Sequence, residues 1–225
     1  MMKNLTLVAL AFATLAIAQP SGRIRVLHAS PDAPAVDILV NGTVVIEALP
    51  YREYTEYLAV PAGAQEIRVN VTGTDTTVLR ANPMVVAGTD YTAIATGFAT
   101  PARTPALDLL LLRDDNTLAT DNRVKLRVVH AAASAPAVDV YLTTPFETIR
   151  DKQPGLANVS FGGVSPYIPV PVSLYQARVA LAGTKTVAID SHRLVTWNNM
   201  IRTLVAVDNR GGGAPFELLL LPDRN

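Results

Sequence analysis

Most of the side chains that could do chemistry sit in one short stretch and its echo. His28, Ser30, Asp32 and Asp37 fall close together, and His130 and Asp139 reproduce the outer two with the same spacing. An imidazole beside a carboxylate makes a general base, and a neighbouring hydroxyl would supply a nucleophile. Yet Ser30 gives way to Ala132 in the echo, and no G-x-S-x-G elbow exists anywhere in the chain. The favoured role is therefore structural or binding, with Ser30, Asp32, Asp37 and Asp139 as the residues that carry it. A histidine at a strand end, bonded to a carboxylate or to backbone, fixes the turn Ser30–Pro34.

Metal binding is the rival chemistry. His28, His130 and His192 are the three histidines, and imidazole suits copper or zinc. There is no H-x-H or HExxH, so the ligands must come from distant segments. His28 and His130 would approach only if the two stretches packed about a pseudo-twofold axis. His192, in Asp190-Ser191-His192-Arg193, has no counterpart in the first stretch, where Pro83 lies opposite. A β-sandwich can hold such a site, as copper superoxide dismutases do. Asp114-Asp115-Asn116 and Asp121-Asn122 lack EF-hand spacing and read as solvated linker rather than a calcium loop.

What positions these residues is a duplicated unit. Arg25 to Asp37 aligns without a gap on Arg127 to Asp139, with nine of thirteen positions identical at an offset of 102. Arg68-Val69 and Gly73-Thr74 match Arg178-Val179 and Gly183-Thr184. Leu109 to Leu112 and Leu218 to Leu221 close the two copies alike, and an insertion in the second falls between Thr143 and Pro171. Inside each copy the period is that of strands: Arg23 to His28 alternates, and Val36 to Val40, Asn41-Gly42 and Thr43 to Ile46 read as a hairpin with a type I′ turn. Short strands punctuated by glycine and proline predict an all-β chain of two tandem antiparallel β-sandwich domains, at 19–116 and 117–225. Arg113 to Lys125 is the expected linker. Four successive leucines put leucine on both faces of each closing strand, so either Leu110, Leu112, Leu219 and Leu221 or the opposite-parity set Leu109, Leu111, Leu218 and Leu220 should meet another domain or protein.

Residues 1–18 read as a signal peptide: Lys3 precedes the uncharged run Leu5–Ile17, and Ala16-Ile17-Ala18 is a small-x-small site before Gln19. The run is too short for a membrane span, and none is expected in the mature chain. Lysine plus arginine equals aspartate plus glutamate at 19 each, which points away from nucleic acid. A 49% hydrophobic, 17% charged composition excludes a disordered chain, and the lack of cysteine excludes disulfide and thiolate chemistry.

His28-Ala29-Ser30-Pro31-Asp32-Ala33-Pro34-Ala35-Val36-Asp37, with Asn41-Gly42 and Pro61-Ala62-Gly63 after it, resembles the bacterial exported family called domain of unknown function 4397. The second copy departs at Ala133 and Ser134, where the first has Pro31 and Asp32. The resemblance implies tandem immunoglobulin-like domains and an exported or envelope-associated protein, with no catalytic residues to carry over. The expectation is a non-catalytic structural or binding module of the cell envelope that is periplasmic, at the cell surface or extracellular. Its expected partners are other envelope proteins, an S-layer or an outer-membrane complex. The alternative is an exported copper-binding protein with superoxide dismutase-like activity.

Overall fold

The computed structural model describes residues 19–224, and the expected signal peptide lies outside them. Ten strands form the first half: β1 (Ser21–Ala29), β2 (Val36–Val40), β3 (Thr43–Leu49), β4 (Leu58–Pro61), β5 (Gly63–Ala64), β6 (Ile67–Val71), β7 (Thr77–Ala81), β8 (Met84–Val85), β9 (Asp90–Thr96) and β10 (Asp108–Asp114). Nine form the second: β11 (Arg123–His130), β12 (Val138–Thr143), β13 (Leu156–Val159), β14 (Ile168–Pro171), β15 (Leu174–Leu181), β16 (Val187–Asp190), β17 (Leu194–Val195), β18 (Ile201–Val207) and β19 (Glu217–Arg224). The chain is all-β. Among the described residues no helix is long and apolar enough to cross a membrane.

Each half builds two four-stranded paths with matching order. The first gives β10-β9-β1-β4 facing β3-β2-β6-β7; the second gives β19-β18-β11-β14 facing β13-β12-β15-β16. The hairpin forms as its sequence demands, with Asn41 and Gly42 at φ 50 and 82 and Val40 opposite Thr43. The sheets are not purely antiparallel, however. β1 runs parallel to β9, and β11 runs parallel to β18. Parallel neighbours are covered on both faces, and these central strands are: in β1, Ile24 and Val26 enter the core of the first sandwich, whereas Leu27 and Ala29 face the other half.

The layers therefore number four, with three apolar cores between them. One lies inside each sandwich, around Val26 and Val69 in the first and Val128 and Val179 in the second. The third joins the halves through Leu27, Ile94, Leu112, Val129, Val205 and Leu221, all nearly inaccessible. Leu110 and Leu219 pack against this joint, while Leu109, Leu111 and Leu218 turn into their own sandwiches. The closing strands thus use the first of the two leucine sets to meet the opposite half. Asp114 ends β10 inside the protein and is not part of a solvated linker.

Candidate functional site

The two histidines of the repeated motif are spent on backbone. His28 lies 1% exposed at the end of β1; its Nε2 is 2.9 Å from the Pro34 carbonyl oxygen, and its Nδ1 accepts from the Ser30 amide. That assigns the neutral tautomer with hydrogen on Nε2. His130 does the same with the Pro136 carbonyl and the Ala132 amide. Burial pushes both imidazoles below the ordinary value of 6.5, against the pull of the carbonyls that accept from them.

The expected carboxylate partners lie elsewhere. Asp37 accepts from the Ala48 and Gly73 amides and the Thr72 hydroxyl, tying β2 to the kink in β3 and to the turn after β6. The Ala48 amide is the main reason its carboxyl sits below the usual range. Asp139 repeats this with the Asn158 and Gly183 amides. Ala48 and Asn158 both adopt left-handed φ, 51 and 53, so the aspartate anchors the same kink in each copy. Asp32 accepts from the Ala99 and Thr100 amides and from Arg103, fastening the motif turn to the loop after β9. Ser30 is buried, and its hydroxyl has no partner among the described residues. The structure does not gather Ser30, Asp32, Asp37 and Asp139 into one site.

Nor does it gather the histidines. Both ring nitrogens of His28 and of His130 are already bonded within their own turns. His192 lies in an exposed turn between β16 and β17. Among the described residues no group of three or more histidine, aspartate or glutamate side chains is placed to hold a metal. The short ladders β5–β8 and β15–β17 also correct the alignment: Met84-Val85 matches Leu194-Val195, which sets Asn82 opposite His192 and Pro83 opposite Arg193.

The most concentrated polar chemistry lies between the halves, where Asp114, expected in a solvated linker, joins Arg25, Arg127 and Asp223. Arg25 of β1 reaches Asp223 of β19, and Arg127 of β11 reaches Asp114 of β10 at 2.6 Å. The four side chains are at most 3% exposed. Thr92 and Thr203 accept from the Nε of Arg25 and Arg127 and donate to Asp114 and Asp223. Tyr57 and Tyr167 donate to the same two carboxylates, both at 2.6 Å. Each of these bonds has its counterpart in the other half, and Arg127 alone also reaches the Thr92 hydroxyl, at 3.4 Å. Burial opposes the Arg25 charge, and Asp223, Tyr57 and Asp114 together more than offset it, so the guanidinium pKa rises. Burial, with the carboxylates beside them, holds the Tyr57 and Tyr167 phenols far above their ordinary range. A fully satisfied network of this kind specifies one geometry. Its signal in the sequence was an arginine at equivalent places in both copies and an aspartate closing each leucine run.

Known proteins add the family and little else. No curated protein matches the chain. Among solved structures, an α-glucan-binding streptococcal virulence factor aligns with TM-score 0.30 and 10% identity over 82% of this chain and 93% of that one. A family 41 carbohydrate-binding module of streptococcal virulence factors gives 0.30 and 11% over 88% and 96%. A family 26 module of Eubacterium rectale, solved with maltoheptaose, gives 0.28 and 10% over 91% and 98%. Likeness at that distance brings no ligand to this chain. The family match runs from β1 across the whole first half and through the second histidine motif into β12. Over those residues, 22–141, the chain belongs to the family described as Domain of unknown function (DUF4397).

Proposed function

We propose that this protein is an exported, non-catalytic binding or structural module of the bacterial cell envelope, built of two tandem immunoglobulin-like domains at 19–116 and 117–225. One observation carries the reading: the histidine and aspartate of the repeated motif are committed to the backbone of their own copy. A general base needs a free nitrogen that reaches substrate, and a metal ligand needs a free lone pair. These imidazoles offer neither, since one nitrogen donates to a carbonyl and the other accepts an amide. What the motif builds is a stiff turn at the end of a central strand, and the joint between the copies turns two sandwiches into one rigid presenting body. Such a body suits a surface assembly such as an S-layer, where a module transmits force and displays loops.

The test is fractionation of native cells with N-terminal sequencing and metal analysis of the purified chain. The proposal expects a chain beginning at Gln19, found in the envelope or the medium, whose His28→Gln and His130→Gln variants stay attached. A chain that retains Met1 in the cytoplasm would overturn export. Stoichiometric copper lost in those variants would replace the module with the metalloprotein.

A further inference from the structure

The second half carries a small pocket on its outer face. About 220 Å³ in volume, it is lined by Pro145, Phe146, Gln176, Arg178, His192 and Arg193. Two of these residues sit in left-handed backbone, Phe146 at φ 68 and His192 at φ 56. For a bulky residue such as phenylalanine that conformation costs energy, and it persists only when something else is gained. The Phe146 ring gains little from packing, because the residue is 88% exposed and its one ring contact among the described residues is the Arg193 guanidinium. Strain spent to hold an aromatic ring out in water at the rim of a pocket is the mark of a contact yet to be made.

The floor beneath it is fixed. Gln176 donates to both oxygens of Asp190 and accepts from the Phe146 amide and from Arg178. Arg178 also donates to Thr143 and lies 3.5 Å from Asp190, so its charge is matched. Arg193 is different. Its guanidinium lies 5.8 Å from the centre of the Phe146 ring and has no hydrogen bond or ion pair among the described residues. The His192 imidazole beside it likewise makes no side-chain hydrogen bond there. The pocket thus offers one unmatched guanidinium, a neighbouring imidazole and one free aromatic face.

We propose that this pocket binds an acidic sugar residue, a hexuronate of a surface polysaccharide. One surplus guanidinium matches a single carboxylate, which arginine grips with two parallel hydrogen bonds. The apolar C–H face of a pyranose lies against the exposed Phe146 ring, and His192 reaches a hydroxyl. A doubly charged phosphate would leave a charge unmatched, and a peptide would find no groove here to lie in. The first half has different residues at the equivalent place. There Glu66 ion-pairs with both Arg68 and Arg80, and Asn82 and Pro83 stand where His192 and Arg193 do. The proposal rests on the binding-module reading and names its ligand class.

Isothermal titration of the intact mature protein with trigalacturonate, maltotriose and inorganic phosphate tests it. Trigalacturonate alone should bind, and Arg193→Ala and Phe146→Ala should each weaken it at least about tenfold with the melting temperature no lower. Phe146→Gly should lose binding equally while raising the melting temperature, because glycine relieves the left-handed φ. Absence of trigalacturonate binding, equal binding of maltotriose or phosphate, or affinity unchanged in both variants would overturn the proposal. None of these outcomes touches export or the histidine turns, which fractionation and metal analysis test separately.

Discussion

Arg25 and Arg127 stand at equivalent places on β1 and β11, and each finds a carboxylate of the other half. Arg68 and Arg178 are equally matched on β6 and β15, yet Arg68 pairs with Glu66 just before its own strand and Arg178 with Asp190 on the next. The difference follows from where each pair lies. On the joint, a change in one half strands a buried charge in the other, so the two copies must keep the same residues. On the outer sheets water can solvate an orphaned arginine, and the copies have come to differ. The second copy covers part of its outer sheet, with Ile149 packed on Tyr141 and Ala180. The inward faces hold the protein together, and the outward faces are free to acquire separate tasks.

The largest effect should come from breaking the joint on one side. Arg127→Ala leaves Asp114 buried without its ion partner and should cost about 3–5 kcal/mol in urea unfolding. Arg25→Ala should cost the same, since its network is the mirror of the other. A large cost for one and none for the other would end the symmetry argument. Arg25→Met combined with Asp223→Leu should be milder than Arg25→Ala alone, because it removes both charges together.

The leucine runs offer the next contrast. Leu221→Thr removes a fully buried side chain from the joint and should cost about 2–4 kcal/mol, by apolar loss plus a buried hydroxyl. Leu220→Thr, one residue away and 41% exposed, should stay within about 0.5 kcal/mol. Similar melts for the two variants would contradict the parity of the closing strand.

In the second sandwich, Asp139→Ala removes a buried carboxylate, strands the two backbone amides it accepts from, and should cost about 1–3 kcal/mol. Asp37→Ala should cost less, as its bonds lie nearer to solvent. Thermal melts of the two variants decide the order.

Acid should act in two steps. His28 and His130 have folded values below 6.5, so the unfolded chain binds the extra protons; their contribution is full above pH 6.5 and is lost as pH falls through the folded values. Asp32, Asp37 and Asp90 are likewise depressed, and their contribution is lost lower, from about pH 4 downward. Replacing both histidines with glutamine, which can still donate and accept, should remove the upper step and leave the lower. A stability curve flat from pH 7 to 5 in the unaltered protein would contradict the buried neutral imidazoles.

The strands and the hairpin turn were legible because a period of two and an Asn-Gly pair are local signals. The leucine parity was legible for the same reason, since a strand with leucine on both faces has to be covered twice. β1 was harder. Arg23 and Arg25 lie two apart on one face and look like a solvated edge, and Arg23 is indeed 56% exposed with Asp90 as partner. Arg25 is buried only because another sheet lies across it, which no period in its own strand records. The parallel pairing of β1 with β9 was hidden too, because alternation says which face is apolar and nothing about the neighbour's direction. The histidines lie at a strand end and bond to backbone within the turn, one of the two expected alternatives, but the choice of the Pro34 and Pro136 carbonyls over a carboxylate depends on how the turn folds back. Phe146 gave no signal at all: an exposed ring and a left-handed φ belong to an inserted loop with no counterpart in the first copy.

The central claim is that the joint makes two sandwiches unfold as one body. Trp197, the only tryptophan, lies in the second half and reports on it alone. Ile38→Ala, deep in the first sandwich and far from the joint, should weaken that half by about 2–5 kcal/mol. Urea unfolding followed by Trp197 fluorescence should then show its midpoint fall together with that of the circular dichroism signal, in a single transition. A Trp197 midpoint that stays where it was, while the rest of the chain unfolds earlier, would contradict the account.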